Sequence, residues 1–206
     1  LIFLLALMFL YSFIMITALI VIAIIIWVEF YALISKIIKK NKFKDKFLRF
    51  FYKAISLLYL SLIVYLIFTI ESFYPNQKIY LLYTILVAIL SDIGGLIIGK
   101  TFKGKKLTKI SPNKTISGSV GSFVFSIILI PFFYEDLIEF NFLIIIIITL
   151  IISFISQTGD LFISYMKRKA KVKNTSDMLP GHGGFLDRVD GIIFAIPISL
   201  ILFNLF

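Results

Sequence analysis

The chain contains no cysteine and only one histidine, His182. The first absence excludes a disulfide framework and any thiolate metal site, and leaves the redox compartment open. The second excludes a multi-histidine zinc centre, so a metal ion here has to be a hard cation held by oxygen. Charge is also scarce: 16% of the 206 residues are charged, against about a quarter in soluble domains. Eleven glycines and five prolines are too few for a collagenous or low-complexity chain. What is abundant is apolar surface, with 60% hydrophobic residues and a mean hydropathy of +1.05. A soluble globular domain is excluded, and a polytopic, all-α integral membrane bundle is expected, because helices satisfy their own backbone in lipid.

Apolar runs lie at about 1–35, 54–70, 79–99, 118–134, 142–165 and 191–206. A spanning helix needs about 20 apolar residues, so about six transmembrane helices are expected. They form a single integral membrane domain over 1–206, with no fixed-period repeat and no linker. The first run exceeds one span and begins at Leu1 without methionine, which reads as a truncated or trimmed end. A secretory signal peptide is not expected, since the start is not basic and the run is too long. The last run is still apolar at Phe206.

The net charge of +10 is unevenly placed. Segments 36–53, 100–117 and 166–190 carry 20 of the 21 Lys and Arg residues, whereas 71–78 and 135–141 hold only Lys78 against Glu71, Glu135, Asp136 and Glu139. This alternation fits three basic connections on the cytoplasmic side of a cell membrane. The surplus therefore marks a face that meets anions, not a nucleic-acid footprint.

A carboxylate inside a span costs roughly 2.5–3.5 kcal/mol on insertion scales, so each one needs a reason. Asp92 lies between LLYTILVAILS and GGLIIGK; it is either a functional acid or a helix-end residue paired with Lys100. Asp160 stands in SFISQTGDLFIS, where Ser156, Gln157, Asp160 and Ser164 share one helix face. Gly95 and Gly99 have the GxxxG spacing of close helix packing, which says nothing about catalysis.

The densest segment is SYMKRKAKVKNTSDMLPGHGGFLDRVDG, residues 164–191. Pro180, Gly181, Gly183 and Gly184 break any helix and leave N–H groups free to turn toward an anion. Asp187 and Asp190 follow at helical spacing; with Arg188 between them they are placed to hold Mg²⁺, which prefers a few carboxylates plus phosphate oxygens. The plainer alternative is capping of the helix start by Asp187, with Arg188 snorkelling to the interface. His182 is either a proton-transfer or phosphate-donating group or a loop residue. A second basic segment holds Ser111-Pro112-Asn113-Lys114-Thr115 just ahead of a helix, with Lys109 and Gly118 beside it. It lacks the P-loop spacing, but a turn, a lysine and hydroxyls there suit a phosphate grip.

These elements resemble the phosphatidate cytidylyltransferase (CDP-diacylglycerol synthase) family. The string Ser164, Lys167, Arg168, Lys173, then Pro180-Gly181-His182-Gly183-Gly184, then Asp187-Arg188-Val189-Asp190 is similar to its C-terminal signature. Gln157-Thr158-Gly159-Asp160-Leu161, the SPNKT element with Gly118, and Asp92 before Gly99-Lys100 resemble its other blocks, so that the likeness covers roughly residues 85–200. The family usually has Asp where Asn174 stands. The resemblance implies a Mg²⁺-dependent transfer of a cytidylyl group from CTP to phosphatidate, giving CDP-diacylglycerol and pyrophosphate. It implies Asp160, Asp187 and Asp190 as ligands of one or two metal ions, with His182 beside them. It further implies Lys167, Arg168, Lys173, Arg188 and Lys114 as phosphate contacts, and Ser111, Thr115, Gly183, Gly184 and Asp92 at the substrate site. Expected partners are CTP, phosphatidate and the bilayer, without nucleic acid; a homodimer is left open.

Three rivals were weighed. Asp187 to Gly191 reads D-x-x-D-G, as in CDP-alcohol phosphotransferases, but no aspartate follows Asp190. A CTP-dependent lipid kinase of related architecture would release CDP rather than pyrophosphate. A transporter would pair broken helices in two halves, whereas the broken segments here cluster beside lysines.

Overall fold

A computed structural model describes residues 12–39, 42–108, 111, 114–179, 181 and 183–206. Among them the chain is helical: α1 (Ser12–Ile37), α2 (Phe43–Phe73), a 3-10 turn at Pro75–Gln77, α3 (Lys78–Phe102), α4 (Ile116–Ile127), the short α5 (Ile130–Phe133), α6 (Phe142–Lys169) and α7 (Leu186–Leu205). The only pairings between extended backbones in the described residues are two isolated bridges, Lys106 with Thr115 and Leu179 with Gly183. Both close loops that carry candidate site residues.

Five stretches are long and apolar enough to cross a membrane: Phe13–Ile37, Phe43–Phe73, Pro75–Phe102, Ile116–Phe133 and Phe142–Lys169. The sixth apolar run is the helix α7, which opens on Asp187, Arg188 and Asp190, contains Pro197 and is not among these five. A second difference from the sequence concerns α2. It begins at Phe43, inside the basic segment and eleven residues before the expected run, because Lys44, Lys46, Arg49 and Lys53 are good helix formers interleaved with Phe and Leu.

The chain divides into two compact units: one runs up to Pro75 and adds Met166–Val189, and the other comprises Asn76–Tyr165 and Asp190–Phe206. In the first, α1 and α2 are joined by polar clamps. The Trp27 indole donates to the Lys53 carbonyl at 3.1 Å, and the Lys53 ammonium lies 3.1 Å from the centre of the Tyr31 ring, a cation–π contact.

In the second unit, a core of Tyr83, Val87, Leu129, Ile130, Leu137, Phe140, Ile145, Ile148, Ile152, Ala195 and Phe203 is buried. Hydroxyl pairs fasten α3 to α6: Tyr83 to Thr149 at 2.5 Å and Ser91 to Ser153 at 2.9 Å. Ser119 of α4 donates to Gln157 of α6 at 2.6 Å. These bonds fix helix rotation where apolar packing alone has little preference.

Small residues let α3 and α4 touch. A Cβ on Gly94 would lie 2.6 Å from the Gly121 carbonyl and 2.5 Å from the Phe125 Cβ, and one on Gly118 would lie 2.8 Å from the Gly95 carbonyl. The GxxxG spacing therefore does mark close packing, and its partner is the small-residue face of α4. Replacing Gly94 with valine forces those backbones apart, at about 1–3 kcal/mol for an overpacked contact. The variant is expected to melt several degrees below the parent in detergent, whereas Leu96→Val, at an exposed site on α3, is expected to match it.

Candidate functional site

Two carboxylate–lysine pairs stand at the helix ends, one in each unit. In the first unit, α6 ends in a Schellman motif: the Val172 N–H donates to the Lys167 carbonyl at 3.0 Å and the Lys171 N–H to the Arg168 carbonyl at 3.1 Å. The chain then runs through Asn174–Leu179 to a tight turn closed by the Leu179 N–H on the Gly183 carbonyl at 2.9 Å. Gly181 and Gly183 have φ of +74° and +80°, a region that disfavours any other residue. The helix α7 begins immediately after.

Asp187 organises this segment. Its Oδ1 accepts from the Lys167 ammonium at 2.6 Å. Its Oδ2 accepts from the Thr175 N–H at 2.8 Å, the Thr175 hydroxyl at 2.9 Å and the Gly184 N–H at 3.0 Å. The carboxylate thus does what the capping alternative requires and pairs with a lysine as well. Burial pushes the Asp187 carboxyl up, but the Lys167 ammonium and the Thr175 and Gly184 N–H groups outweigh it and hold it below its ordinary value.

A residue that sequence reasoning passed over anchors the same loop. Glu29 of α1 is buried, 4% exposed. Its Oε1 accepts from the Ser176 hydroxyl at 2.6 Å and the Phe185 N–H at 3.0 Å, and its Oε2 from the Leu186 N–H at 2.9 Å; the Thr175 hydroxyl, also 2.9 Å from Oε2, has one proton for either Glu29 or Asp187. The last two N–H groups belong to the opening of α7, where a carboxylate also meets the positive end of the helix dipole. Glu29 is the single acid in the apolar run 1–35; that cost to insertion was the available signal.

Asn174, where the family pattern has Asp, lies beside these groups. A Cβ on Gly183 would meet the Asp187 Oδ2 at 2.9 Å and the Asn174 Cγ at 3.3 Å. Lys173, Arg168 and Arg188 are exposed. His182 and Pro180 lie outside the described residues, as do Pro112, Asn113 and Lys109 of the other loop.

In the second unit, Lys105–Leu107 runs against Lys114–Ile116, with the Leu107 N–H on the Lys114 carbonyl at 2.8 Å and the Ile116 N–H on the Lys105 carbonyl at 2.9 Å. Thr115 caps α4 by accepting from the Gly118 N–H at 3.0 Å. The Ser111 backbone carbonyl accepts from the Lys114 N–H at 3.1 Å. This loop delivers the Lys114 ammonium onto the Asp160 Oδ2, while Ser164 donates to the Asp160 Oδ1 at 3.3 Å. Asp92 of α3 is within Coulombic reach of both Asp160 and Lys114. A lysine flanked by two acids therefore forms a compact cluster.

Gln157 belongs to the α4 contact already described. Ser156 instead faces Gly191 of α7, and its buried hydroxyl makes no hydrogen bond among the described residues. The α6–α7 approach depends on Gly159, whose Cβ would lie 2.9 Å from the Asp190 carbonyl. Asp190 is 7% exposed, and its Oδ1 accepts from the Gly191 N–H at 3.0 Å.

No group of three acidic or histidine side chains converges among the described residues. Carboxylate and hydroxyl oxygens are the donor type a hard cation takes, but a lysine ammonium already occupies each of Asp160 and Asp187, so a cation would have to displace or share with it.

Long apolar helices joined by charged loops define an integral membrane protein. The chain belongs to the cytidylyltransferase family, whose model matches residues 1–206. It is 41% identical over 126 residues to a phosphatidate cytidylyltransferase of Staphylococcus haemolyticus, covering 60% of this chain and 48% of that protein. Similar proteins of the same name occur in Rickettsia typhi, 41% identical over 131 residues, 60% of this chain and 57% of the relative, and in Rickettsia prowazekii, 38% over 155 residues, 71% and 68%. The chain spans about half to two thirds of the length of these relatives.

The Asp187 geometry sets a pH expectation. Because its carboxyl is held below the ordinary value of 3.8, its contribution to stability is fully present above about that pH and is lost as pH falls through the lowered value. Removing one partner of a buried pair costs about 3–5 kcal/mol, less for this pair, which keeps some exposure. Asp187→Asn is therefore expected to melt below the parent at pH 7, with the difference shrinking on acidification below pH 3.8. A constant difference in a melting series down to pH 3 would disprove the assignment.

Proposed function

We propose that this chain transfers the cytidylyl group of CTP to phosphatidate, forming CDP-diacylglycerol and pyrophosphate, at the cytoplasmic ends of its spans. The observation that carries the reading is the signature loop: Lys167 pairs with Asp187, and Asp187 and Glu29 brace the glycine turn at the opening of α7. Family membership and the relatives' names support the chemistry.

In this reaction a phosphatidate oxygen attacks the α-phosphorus of CTP, and the bond from that phosphorus to the bridging oxygen of pyrophosphate breaks. A phosphomonoester has its second pKa near 6 and is largely dianionic at neutral pH, so the nucleophile needs no strong base. The difficulty is bringing two polyanions together and stabilising charge on the leaving group. Lys114 and Lys167 are each positioned by a carboxylate, and we assign both to reactant phosphates, with Arg168, Lys173 and Arg188 as further cations. Ser111 and Thr115 beside Lys114 and Asp92, and Gly183 and Gly184 in the signature loop, are proposed as substrate contacts.

Asp160, Asp187 and Asp190 are proposed as ligands of one or two Mg²⁺ ions, which would neutralise phosphate charge when bound. His182 is proposed to act on a phosphate or its proton. The basic connections face the cytoplasm, where CTP is found, and acyl chains stay in lipid.

Asn174 serves beside Asp187 without being the carboxylate that Lys167 pairs with. Purified protein given labelled CTP, phosphatidate and Mg²⁺ is expected to yield a CDP-lipid and pyrophosphate. Asp160→Asn and Asp187→Asn are expected to lower the rate at least 100-fold, by analogy with loss of charge-stabilising groups, ~2.7 kcal/mol or more. Asn174→Asp is expected to match or exceed the parent. CDP and a phosphorylated lipid as products would instead indicate the kinase reaction.

A further inference from the structure

We propose that the first unit carries a binding site for the anionic headgroup of a membrane phospholipid, formed by Lys36, Lys39, Lys169 and Lys171. These four lysines, with Asp45 as the one acid, line a pocket of about 410 Å³, within the roughly 300–1,000 Å³ typical of small-molecule sites. Among the described lining residues, positive charges outnumber negative ones by three.

Helix-end electrostatics explains part of this cluster and not the rest. Lys36 and Lys169 stand in the last turns of α1 and α6, where a cation offsets the partial charge of the terminal carbonyls. Lys39 and Lys171 lie beyond those helices. Lys171 has φ +57° and occupies the left-handed position of the Schellman motif, where glycine is the usual residue. A lysine kept in a conformation that glycine adopts without cost points to a use for its side chain.

The surroundings select a lipid over a soluble anion. The spans Phe13–Ile37 and Phe142–Lys169 end here and Phe43–Phe73 begins here, and span ends lie at the lipid–water boundary. Ile37, Ile38 and Leu48 supply an apolar wall, and Phe43, Phe47 and Phe50 of α2 are exposed nearby in sequence. A nucleotide base would want an aromatic face or a polar edge to read, and the described lining has no aromatic ring. A phosphodiester headgroup with its glycerol at the apolar wall satisfies both halves of the pocket. This site is separate from the cytidylyl transfer proposed above, since neither Lys167 nor Asp187 lines it.

The test is lipid retention by the purified chain, measured by native mass spectrometry from detergent micelles containing phosphatidylglycerol or phosphatidylcholine. The parent is expected to retain phosphatidylglycerol at least fivefold more. Lys171→Gly, which relaxes the backbone and so preserves the fold, and Lys39→Ala combined with Lys171→Gly are each expected to lose most of that preference. Lys42→Ala with Lys44→Ala, in the same segment but outside the lining, is expected to keep it. Equal retention of both lipids by the parent, or undiminished preference in the Lys171→Gly variants, would overturn the proposal. Displacement of the bound lipid by glycerol 3-phosphate would assign the pocket to a soluble phosphate instead, and displacement by CTP to the nucleotide; either result overturns the lipid assignment.

Discussion

A carboxylate taken into an apolar bundle has to be met by donors, and the signature segment of this protein is organised around two such acids. Glu29 gathers the Ser176 hydroxyl and two helix-opening N–H groups, and Asp187 gathers a lysine and two further N–H groups. The Thr175 hydroxyl stands 2.9 Å from both acids and has one proton to give to either. The described residues between α6 and α7 would otherwise leave backbone groups unsatisfied, and the two acids supply acceptors for Thr175, Gly184, Phe185 and Leu186.

The second unit solves a related problem differently. Lys114 is held by a short ladder of backbone bonds and pointed at Asp160, while hydroxyl and amide pairs lock the rotation of α3, α4 and α6. In both units a lysine is paired with an acid. Such pairs are partly shielded from water, so they resist screening better than surface ion pairs, yet they stay exposed enough to be reached.

Much of this was legible in the residues. Apolar runs gave α3 and α6 nearly to their ends, the glycine spacing marked the α3–α4 contact, and the polar stripe at Ser164 and Asp160 proved to be a hydrogen-bonded pair. Other features were hidden by distance along the chain. Glu29 finds its partners 146 to 157 positions away, which no local pattern records. Lys167 and Asp187 are 20 positions apart across a loop whose path depends on positive-φ glycines. The start of α2 was missed because lysine content marks a connection in a membrane chain but does not oppose helix formation. Ser156 shared a polar face with Gln157 by spacing, yet it meets Gly191 and not α4.

The bracing of the loop by a buried acid from the first helix is tested most directly by amide hydrogen exchange in the intact protein, comparing the parent with Glu29→Gln. Removing one carboxylate oxygen as an acceptor is expected to speed exchange at the Phe185 and Leu186 amides about tenfold or more, corresponding to roughly 1.4 kcal/mol of lost hydrogen bonding, while amides within α3 and α6 stay protected. Unchanged protection at those two positions would show that the loop holds its shape without Glu29 and would contradict the account.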